Sequence, residues 1–401
     1  MIHMQQEFDN VTFLVGSKDI LMQMEHIPVL PIFSDKVREF LAILSDELLH
    51  DKQAKQFGDI MAYAFWIRGA AIEKVYTKYA SETHRIGRGI AFQIAPSNIP
   101  VQFAISMTYA IISGNISVVR VSRKNFRQVD IICEVIKRVL TEKCTQLKPY
   151  ICVLRYDHDE SVTKWLSSIC DIRMIWGGDN TISMIRQISI QPRCIELGFA
   201  DRYSLAVINA DDYLKSDFKV VAKDFYNDTY YTDQNACSST RLIIWIGNQI
   251  EKAQKIFWDN LACEVNIKYK LSEICGSEKL LKTAICAAKH PEIREIRHNN
   301  AIVRIELPQL YDDTMDFKGN CGYFFEYATS NLESIVSLLK KDCQTVTFLG
   351  ETLEDDIHKL VDLYGVRGVD RIVPLGHSID LSFVWDGYDL PITLSRVVGN
   401  A

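Results

Sequence analysis

Three things are scarce or absent in this sequence of 401 residues: paired metal-binding cysteines, an excess of positive charge, and tracts of biased composition. The 11 cysteines are an odd number, scattered from Cys133 to Cys343 without a Cys-x-x-Cys pair or a His/Cys cluster at zinc-site spacing, so neither a metal site nor a disulfide framework is expected. They read as small apolar residues of a reducing compartment, which places the chain in the cytoplasm. Asp and Glu number 51 against 45 Lys and Arg, a net charge of −6, where a phosphate backbone needs a basic face; nucleic acid is not an expected partner. The lack of Gly/Pro/Ser-rich tracts and of internal repeats excludes whole-chain disorder, collagen and coiled coil. The segment MIHMQQEFDNVTFLVGS carries acidic residues and lacks the basic flank and apolar stretch of a signal peptide, so no export is expected.

Gly89 to Val119 carries no charged side chain and is long enough to span a bilayer. Pro96, Asn98, Pro100, Gly114 and Asn115 break it into three pieces, however, and no membrane span is expected.

What is present is ordinary globular material, 48% hydrophobic and 24% charged, with length for two or three packed units. The first 88 residues read as mostly helical. SDKVREFLAILSDELLH sets Val37, Phe40, Leu41, Leu44 and Leu48 at helical spacing behind Ser34 or Asp35, and DIMAYAFWIRGAAIEKVYTKYA reads as one further helix. After Arg88, short apolar runs alternate with amphipathic stretches: GIAFQIA, SVVRVS, YICVLRY and IRMIWGG as strands, with IPVQFAISMTYAIIS, FRQVDIICEVIKRVL and SVTKWLSSIC as helices between them. Asn98 falls near the start of the first of these helices and Pro100 in its first turn. The pattern predicts a doubly wound α/β sheet, and RCIELGF and SLAVINA read as two further strands.

Four stretches have the residue types that chemistry needs. Thr232 to Ser239 is a polar loop with Cys237 on a turn of small residues; such a turn gives a thiolate access to substrate and backbone N–H donors, although Cys237 also reads as one more buried cysteine. Glu196 in Cys194-Ile195-Glu196-Leu197-Gly198 stands at the expected end of a strand, where an open α/β sheet places catalytic carboxylates, or is simply solvated there. The loop Ala95-Pro96-Ser97-Asn98 offers an amide that donates to an oxyanion or caps the following helix. Gly177-Gly178 is a glycine turn suited to a diphosphate at a helix N-terminus.

In order and kind, these four stretches resemble the aldehyde dehydrogenase superfamily, and more closely its acyl-CoA reductase branch, the fatty acid reductases of bacterial bioluminescence. The resemblance is carried by IAPSNIPVQFA, ISGNISVVRVSRKNF, YYTDQNACSS, CQTVTFLG, GVDRIVPLG and WDGYDL, and runs from about Arg88 to Leu390. It implies an α/β, aldehyde dehydrogenase-like fold: residues 1–207 as a doubly wound NADP-binding domain completed by 381–401, and 208–380 as an α/β catalytic domain carrying the nucleophile. It further implies Cys237 as the nucleophile that takes the acyl group as a thioester, Asn98 as the side-chain half of an oxyanion hole, and Glu196 in the place of the superfamily's general base. The cofactor is expected along Ala95, Pro96, Ser97, Arg120, Ser122, Arg123, Gly177 and Gly178. Arg120 and Arg123 bring positive charge where NAD-selective members of the superfamily often have a glutamate, which suits a 2′-phosphate and predicts NADPH. The Glu-x-Phe-Gly-Pro stretch usual after the cysteine is absent.

The resemblance thus implies NADPH-dependent reduction of an acyl-CoA or other activated fatty acyl group to the aldehyde. The alternatives are an aldehyde dehydrogenase in which Glu196 activates water, and a non-catalytic homologue that binds an acyl chain or nucleotide. The implied partners are the acyl-CoA or acyl-carrier substrate, further copies of the chain in a homo-oligomer, and an acyl-protein synthetase and acyl-transferase.

Overall fold

Strands covered by helices on both faces lose water on both sides, so they read as unbroken apolar runs and not as alternations. The runs named above behave this way in the computed structural model, which describes residues 8, 10–82, 84–157 and 160–399; residues 1–7 of the amino-terminal segment lie outside the described residues. The chain divides into two units, one of residues 1–200 with 381–401 and the other of 201–380.

The strands of the first unit are β1 (Thr12–Val15), β2 (Arg85–Gly87), β3 (Ile90–Ile94), β4 (Ile116–Arg120), β5 (Ile151–Arg155), β6 (Ile172–Trp176) and β7 (Ile195–Phe199). Six form one sheet in the order β1-β5-β4-β3-β6-β7, parallel except for β1, which runs antiparallel along the β5 edge. The chain winds outward from β3 through β4 and β5, then returns to build β6 and β7 on the other side. The order reverses between β3 and β6, which makes their carboxyl ends the crevice where a doubly wound sheet takes its ligand.

A buried polar chain fixes this centre. Gln93 on β3 donates to Ser117 Oγ at 2.7 Å and accepts from Ser106 Oγ at 2.5 Å, and Ser106 in turn accepts from the Trp176 indole at 2.9 Å. Ser106 belongs to the helix Gln102–Ile112, so each buried polar group is paired and the helix is locked over three strands.

The amino-terminal helix Asp35–His50 buries the expected Val37, Phe40, Leu41, Leu44 and Leu48. The next expected helix is two: Gly58–Trp66 and Gly69–Tyr76 are separated at Arg68, whose extended backbone breaks the run. Ser395–Val397 pairs antiparallel with β2, so the carboxyl-terminal segment belongs to the first unit.

The second unit contains β8 (Tyr203–Asn209), β9 (Thr240–Ile246), β10 (Arg294–Asn299), β11 (Ile302–Glu306), β12 (Tyr323–Ala328), β13 (Cys343–Leu349) and β14 (Arg371–Pro374). They form one sheet in the order β10-β11-β12-β9-β8-β13-β14, parallel except for β10. A domain boundary at Val207 would cut β8; the break falls at residue 200, because RCIELGF closes the first sheet while SLAVINA lies inside the second.

Glu326 on β12 is fully buried, where it accepts from Arg304 Nε at 2.6 Å, the Trp245 indole at 2.9 Å and the Trp258 indole at 2.7 Å. Burial pushes its carboxyl up and Arg304 opposes this. The cluster ties β11, β12, β9 and the helix Ile250–Lys268 together. Among the described residues no helix is long and apolar enough to cross a membrane.

Candidate active site

In the first unit, the expected cofactor residues gather at one edge of the sheet because they follow strands that end side by side. Ala95, Pro96, Ser97 and Asn98 follow β3; Arg120 ends β4 with Ser122 and Arg123 beyond it; Gly177 and Gly178 follow β6. The two loops on either side of the switch point are therefore the Asn98 loop and the glycine turn. Asn98 does not cap the helix, which starts at Gln102 with Val101 at its cap position and no side-chain bond there. Pro100 likewise precedes the helix. The Asn98 side chain is exposed and forms no hydrogen bond among the described residues, which leaves its amide available.

Positive charge at this edge is unevenly held. The Arg120 guanidinium stands 5.0 Å from the Tyr156 ring centroid, and its Nε is buried without a hydrogen-bond partner. Arg123 is exposed and paired with Asp157. The Gly178 turn opens the helix Asp179–Arg186, whose first turn carries the Asp179 carboxylate where a phosphate would otherwise be attracted. A Cβ on Gly178 would meet nothing within 4 Å, so close approach of another chain segment does not demand a glycine there. The switch-point crevice and the orphaned Arg120 Nε fit a nucleotide; the glycine turn contributes less to it than its spacing suggests.

Glu196 is displaced from this edge. It is the second residue of β7, in register with Arg173, the second residue of β6, and three residues short of Phe199, where the strand ends. At roughly 3.3 Å per residue, it lies about 10 Å back from the carboxyl edge. Its carboxylate accepts from Arg173 Nε at 2.6 Å and Arg186 Nε at 2.8 Å; Arg173 is buried and also donates to Ser167 Oγ and the Ile188 carbonyl. The carboxylate expected at a strand end is thus a mid-sheet ion-pair partner. The signal lay in the sequence: IRMIW and IELGF each carry one charge at the same position of an apolar run, and parallel neighbours in register bring such charges together.

In the second unit, Cys237 lies on the turn that enters β9, half-buried and outside any disulfide. Two side chains hold this turn. Gln234 is buried with φ of 56°, accepts from the Gly322 and Tyr323 N–H groups at 2.7 and 3.0 Å, and donates to the Thr240 and Tyr323 carbonyls at 3.0 and 3.2 Å. A Cβ on Gly322, itself at φ of 87°, would meet the Ala301 carbonyl oxygen at 1.9 Å, so only glycine allows β12 to start this close.

Arg241, the first side chain after Thr240, runs back under the loop and donates to the Gln234 and Gly319 carbonyls and, at 2.7 Å, to Asn320 Oδ1. Burial lowers its guanidinium to about 10, against the charge of Cys237, which holds it up. A cation under the loop stabilises a thiolate above it. Ser204 Oγ fixes the Cys237 carbonyl at 2.7 Å, and Ser238 Oγ, Thr240 Oγ1 and Arg241 Nε are buried without partners beside it. Neither Gln234 nor Arg241 was among the expected functional residues; the signal for Arg241 was its place as a lone charge opening the apolar run RLIIWI.

Six of the other cysteines are held back by burial, whereas a hydrogen bond with Cys170 lowers the Cys194 thiol. Burial pushes the thiols of Cys152, Cys321 and Cys343 up to about 12 and Cys286 to about 11, and raises Cys133 and Cys144 as well. Six thiols are thereby held protonated and unreactive.

Two parallel sheets of this topology, with a cysteine on the turn that enters the second, make an aldehyde dehydrogenase fold. The chain is similar to the NAD-dependent benzaldehyde dehydrogenase of Corynebacterium glutamicum, with a TM-score of 0.63 and 10% identity over 91% of this chain and 90% of that one. It is also similar to aldehyde dehydrogenase 21 of Physcomitrella patens, with a TM-score of 0.61 and 12% identity over 84% and 77%. Residues 70–267 match the family described as acyl-CoA reductase (LuxC). A long-chain acyl-protein thioester reductase 2 of Photobacterium leiognathi is 27% identical over 46% of this chain and 36% of its own length, and a long-chain acyl-protein thioester reductase of Vibrio harveyi is 24% identical over 72% and 59%. Over residues 70–267 the chain is thus similar to the acyl-CoA reductase (LuxC) family, and its fold is that of the aldehyde dehydrogenases. Its matches span less than two thirds of the length of these curated relatives.

Proposed function

We propose that the chain reduces a long-chain acyl thioester, on CoA or on a protein carrier, to the aldehyde through a thioester on Cys237. The observation that carries this reading is the Cys237 turn, pinned by Gln234, underlain by the Arg241 cation and left half-open to substrate. The Cys237 sulfur attacks the acyl carbonyl carbon, a new C–S bond forms, and the carrier thiolate leaves and takes a proton from water. A reduced nicotinamide, when bound, supplies the hydride equivalent. Arg120 and the loops Ala95–Ser97, Ser122–Arg123 and Gly177–Gly178 hold the nucleotide. The oxyanion that develops on the acyl oxygen is met by the Cys237 backbone N–H, and Asn98 is the side-chain donor proposed for the same step. The C–S bond to Cys237 then breaks, aldehyde leaves, and the sulfur departs as the thiolate that Arg241 stabilises.

Glu196 has no proton-transfer task in this scheme, since two guanidiniums occupy its carboxylate. The same reading takes the protein as cytoplasmic and homo-oligomeric, and working with an acyl-protein synthetase and an acyl-transferase. It takes NADPH as the cofactor, on the Arg120 charge, and comparable kcat/KM with NADH would remove that preference.

The test is incubation with radiolabelled acyl-CoA of several chain lengths, first without and then with NADPH. Label is expected on Cys237 and is expected to leave as aldehyde once NADPH is added. Cys237→Ala abolishes the labelling, and Asn98→Ala lowers kcat about 10²–10³-fold. Release of label as free acid supports the oxidative alternative instead, and labelling retained in Cys237→Ala overturns the nucleophile.

A further inference from the structure

The edge of the first sheet opposite the nucleotide crevice holds a cavity of about 530 Å³ lined by Arg88, Asp171, Gln191, Pro192, Arg193 and Arg396. Its position follows from the topology. Arg88 precedes β3 by two residues, Asp171 precedes β6 by one and Arg193 precedes β7 by two, while Arg396 comes from the carboxyl-terminal strand paired with β2. A five-residue strand is about 17 Å long, so the cavity is separated by the depth of the sheet from the loops that follow β3, β4 and β6.

Its charge is unbalanced. Arg193 and Arg396 form no hydrogen bond from their side chains and no ion pair within 4.0 Å among the described residues, and the Arg88 guanidinium donates only from Nε, to the Thr393 carbonyl at 3.3 Å. Burial, and then the neighbouring Arg85, Arg396 and Arg193, lower the Arg88 guanidinium, so these cations work against one another. The single acid in the lining, Asp171, is already used: its Oδ2 accepts from the Ile90 N–H at 2.8 Å and closes the start of β3. A Cβ on Gly89 would meet that oxygen at 1.8 Å, so the glycine exists to admit it. Burial raises the Asp171 carboxyl, and the Ile90 N–H and Arg193 oppose this. Three guanidiniums from three separate segments thus converge on a concave site that offers at most one negative charge. Folding gains nothing from such an arrangement, and an anion that enters it would relieve the repulsion.

We infer that this cavity binds a diphosphate group, either free or as part of a nucleotide, at a site distinct from the nucleotide crevice. The preference for phosphate follows from the donors. Planar guanidinium forks match phosphate oxygens two at a time, and a net charge near +2 calls for a ligand bearing at least two negative charges, which a simple carboxylate does not have. The volume suits a small phosphate-bearing molecule.

The experiment is calorimetric titration of the full chain with inorganic pyrophosphate and, separately, with ADP at low ionic strength, comparing the wild type with R193Q, R396Q and the double variant. Both arginines are exposed, so the substitutions leave the core intact, and circular dichroism checks this. Each single substitution is expected to weaken pyrophosphate about tenfold, the size of one charge-assisted contact, and the double variant is expected to bind one pyrophosphate fewer per chain. ADP binding tighter than pyrophosphate and weakened in the double variant identifies a nucleotide as the source of the diphosphate, and equal affinity, weakened alike in the double variant, identifies the diphosphate alone. Absence of binding by the wild type up to about 10 mM, or unchanged affinity and stoichiometry in the double variant, overturns the inference. Acyl labelling of Cys237 in the double variant is expected to match the wild type, so failure here is distinct from failure of the proposed reaction.

Discussion

A side chain that acts only by holding another is hard to recognise in a sequence, and Gln234 is of that kind. Its amide group makes four hydrogen bonds between the Cys237 turn and the start of β12, all with backbone groups. Gln234→Ala leaves the buried Gly322 and Tyr323 N–H groups unpaired, a loss of about 2–4 kcal/mol in stability. The larger consequence is expected in kinetics. With the turn unpinned, the sulfur drifts from its attack geometry, and the rate of acyl-enzyme formation falls about 10–10²-fold with little change in KM. Single-turnover labelling checks this; a melting temperature that drops while the labelling rate holds would reduce Gln234 to a purely structural residue. The turn that carries Cys237 was legible because small residues and a polar loop preceding an apolar strand are a local pattern. Gln234 was not, because its partners lie near residue 322, about 90 positions away, and no periodicity reports a side chain that bonds to distant backbone.

Elements were legible where burial is symmetrical and obscure where it is not. β3 to β6 are apolar on both faces and could be read directly, as could Asp35–His50 from its single stripe. β1 lies antiparallel at an edge in a region that otherwise reads as helical, and β2 is three residues long and paired with a strand some 300 positions later; pairing at that range leaves no local mark. Asp228 shows how such long-range joints are made. It sits in the last turn of the helix Phe218–Thr229 and accepts from the Gly376 and Ser378 N–H groups at 2.7 and 2.9 Å, which anchors the segment after β14. Burial pushes its carboxyl up to about 6, in spite of those two bonds. Between about pH 4 and pH 6 the folded chain therefore keeps a proton that the unfolded chain has released. More protons bound in the folded state mean that stability falls as pH rises through this window, by up to about 3 kcal/mol from this group. Urea unfolding at pH 4.5 and 6.5 should show that decline in the wild type and a smaller one in Asp228→Asn, whose side chain does not titrate. An equal decline in both would assign it to other carboxyls.

At the scale of the whole molecule, the proposed reaction divides its chemistry between the two units: donors and cations at a sheet edge in one, a pinned thiol in the other. The fold class could be read from the sequence because the order of strands and helices is itself periodic, whereas the boundary at residue 200 could not, since RCIELGF and SLAVINA are similar apolar runs that join different sheets. If the division of labour is right, ligands should register in the units separately. NADPH alone is expected to slow amide hydrogen exchange in segments 95–101, 120–124 and 177–181 of the first unit, as loops that gain hydrogen bonds and lose water exchange more slowly. Acyl-CoA alone is expected to slow exchange in segment 232–241 of the second unit, where a thioester on Cys237 would order the turn. A labelled turn that responds to NADPH and not to acyl-CoA would mean that the cysteine serves the nucleotide and not the acyl group. Protection of the segments around Arg88, Arg193 and Arg396 by NADPH would mean that the nucleotide enters by the arginine-lined edge, which would exchange the roles assigned here to the two ends of the sheet.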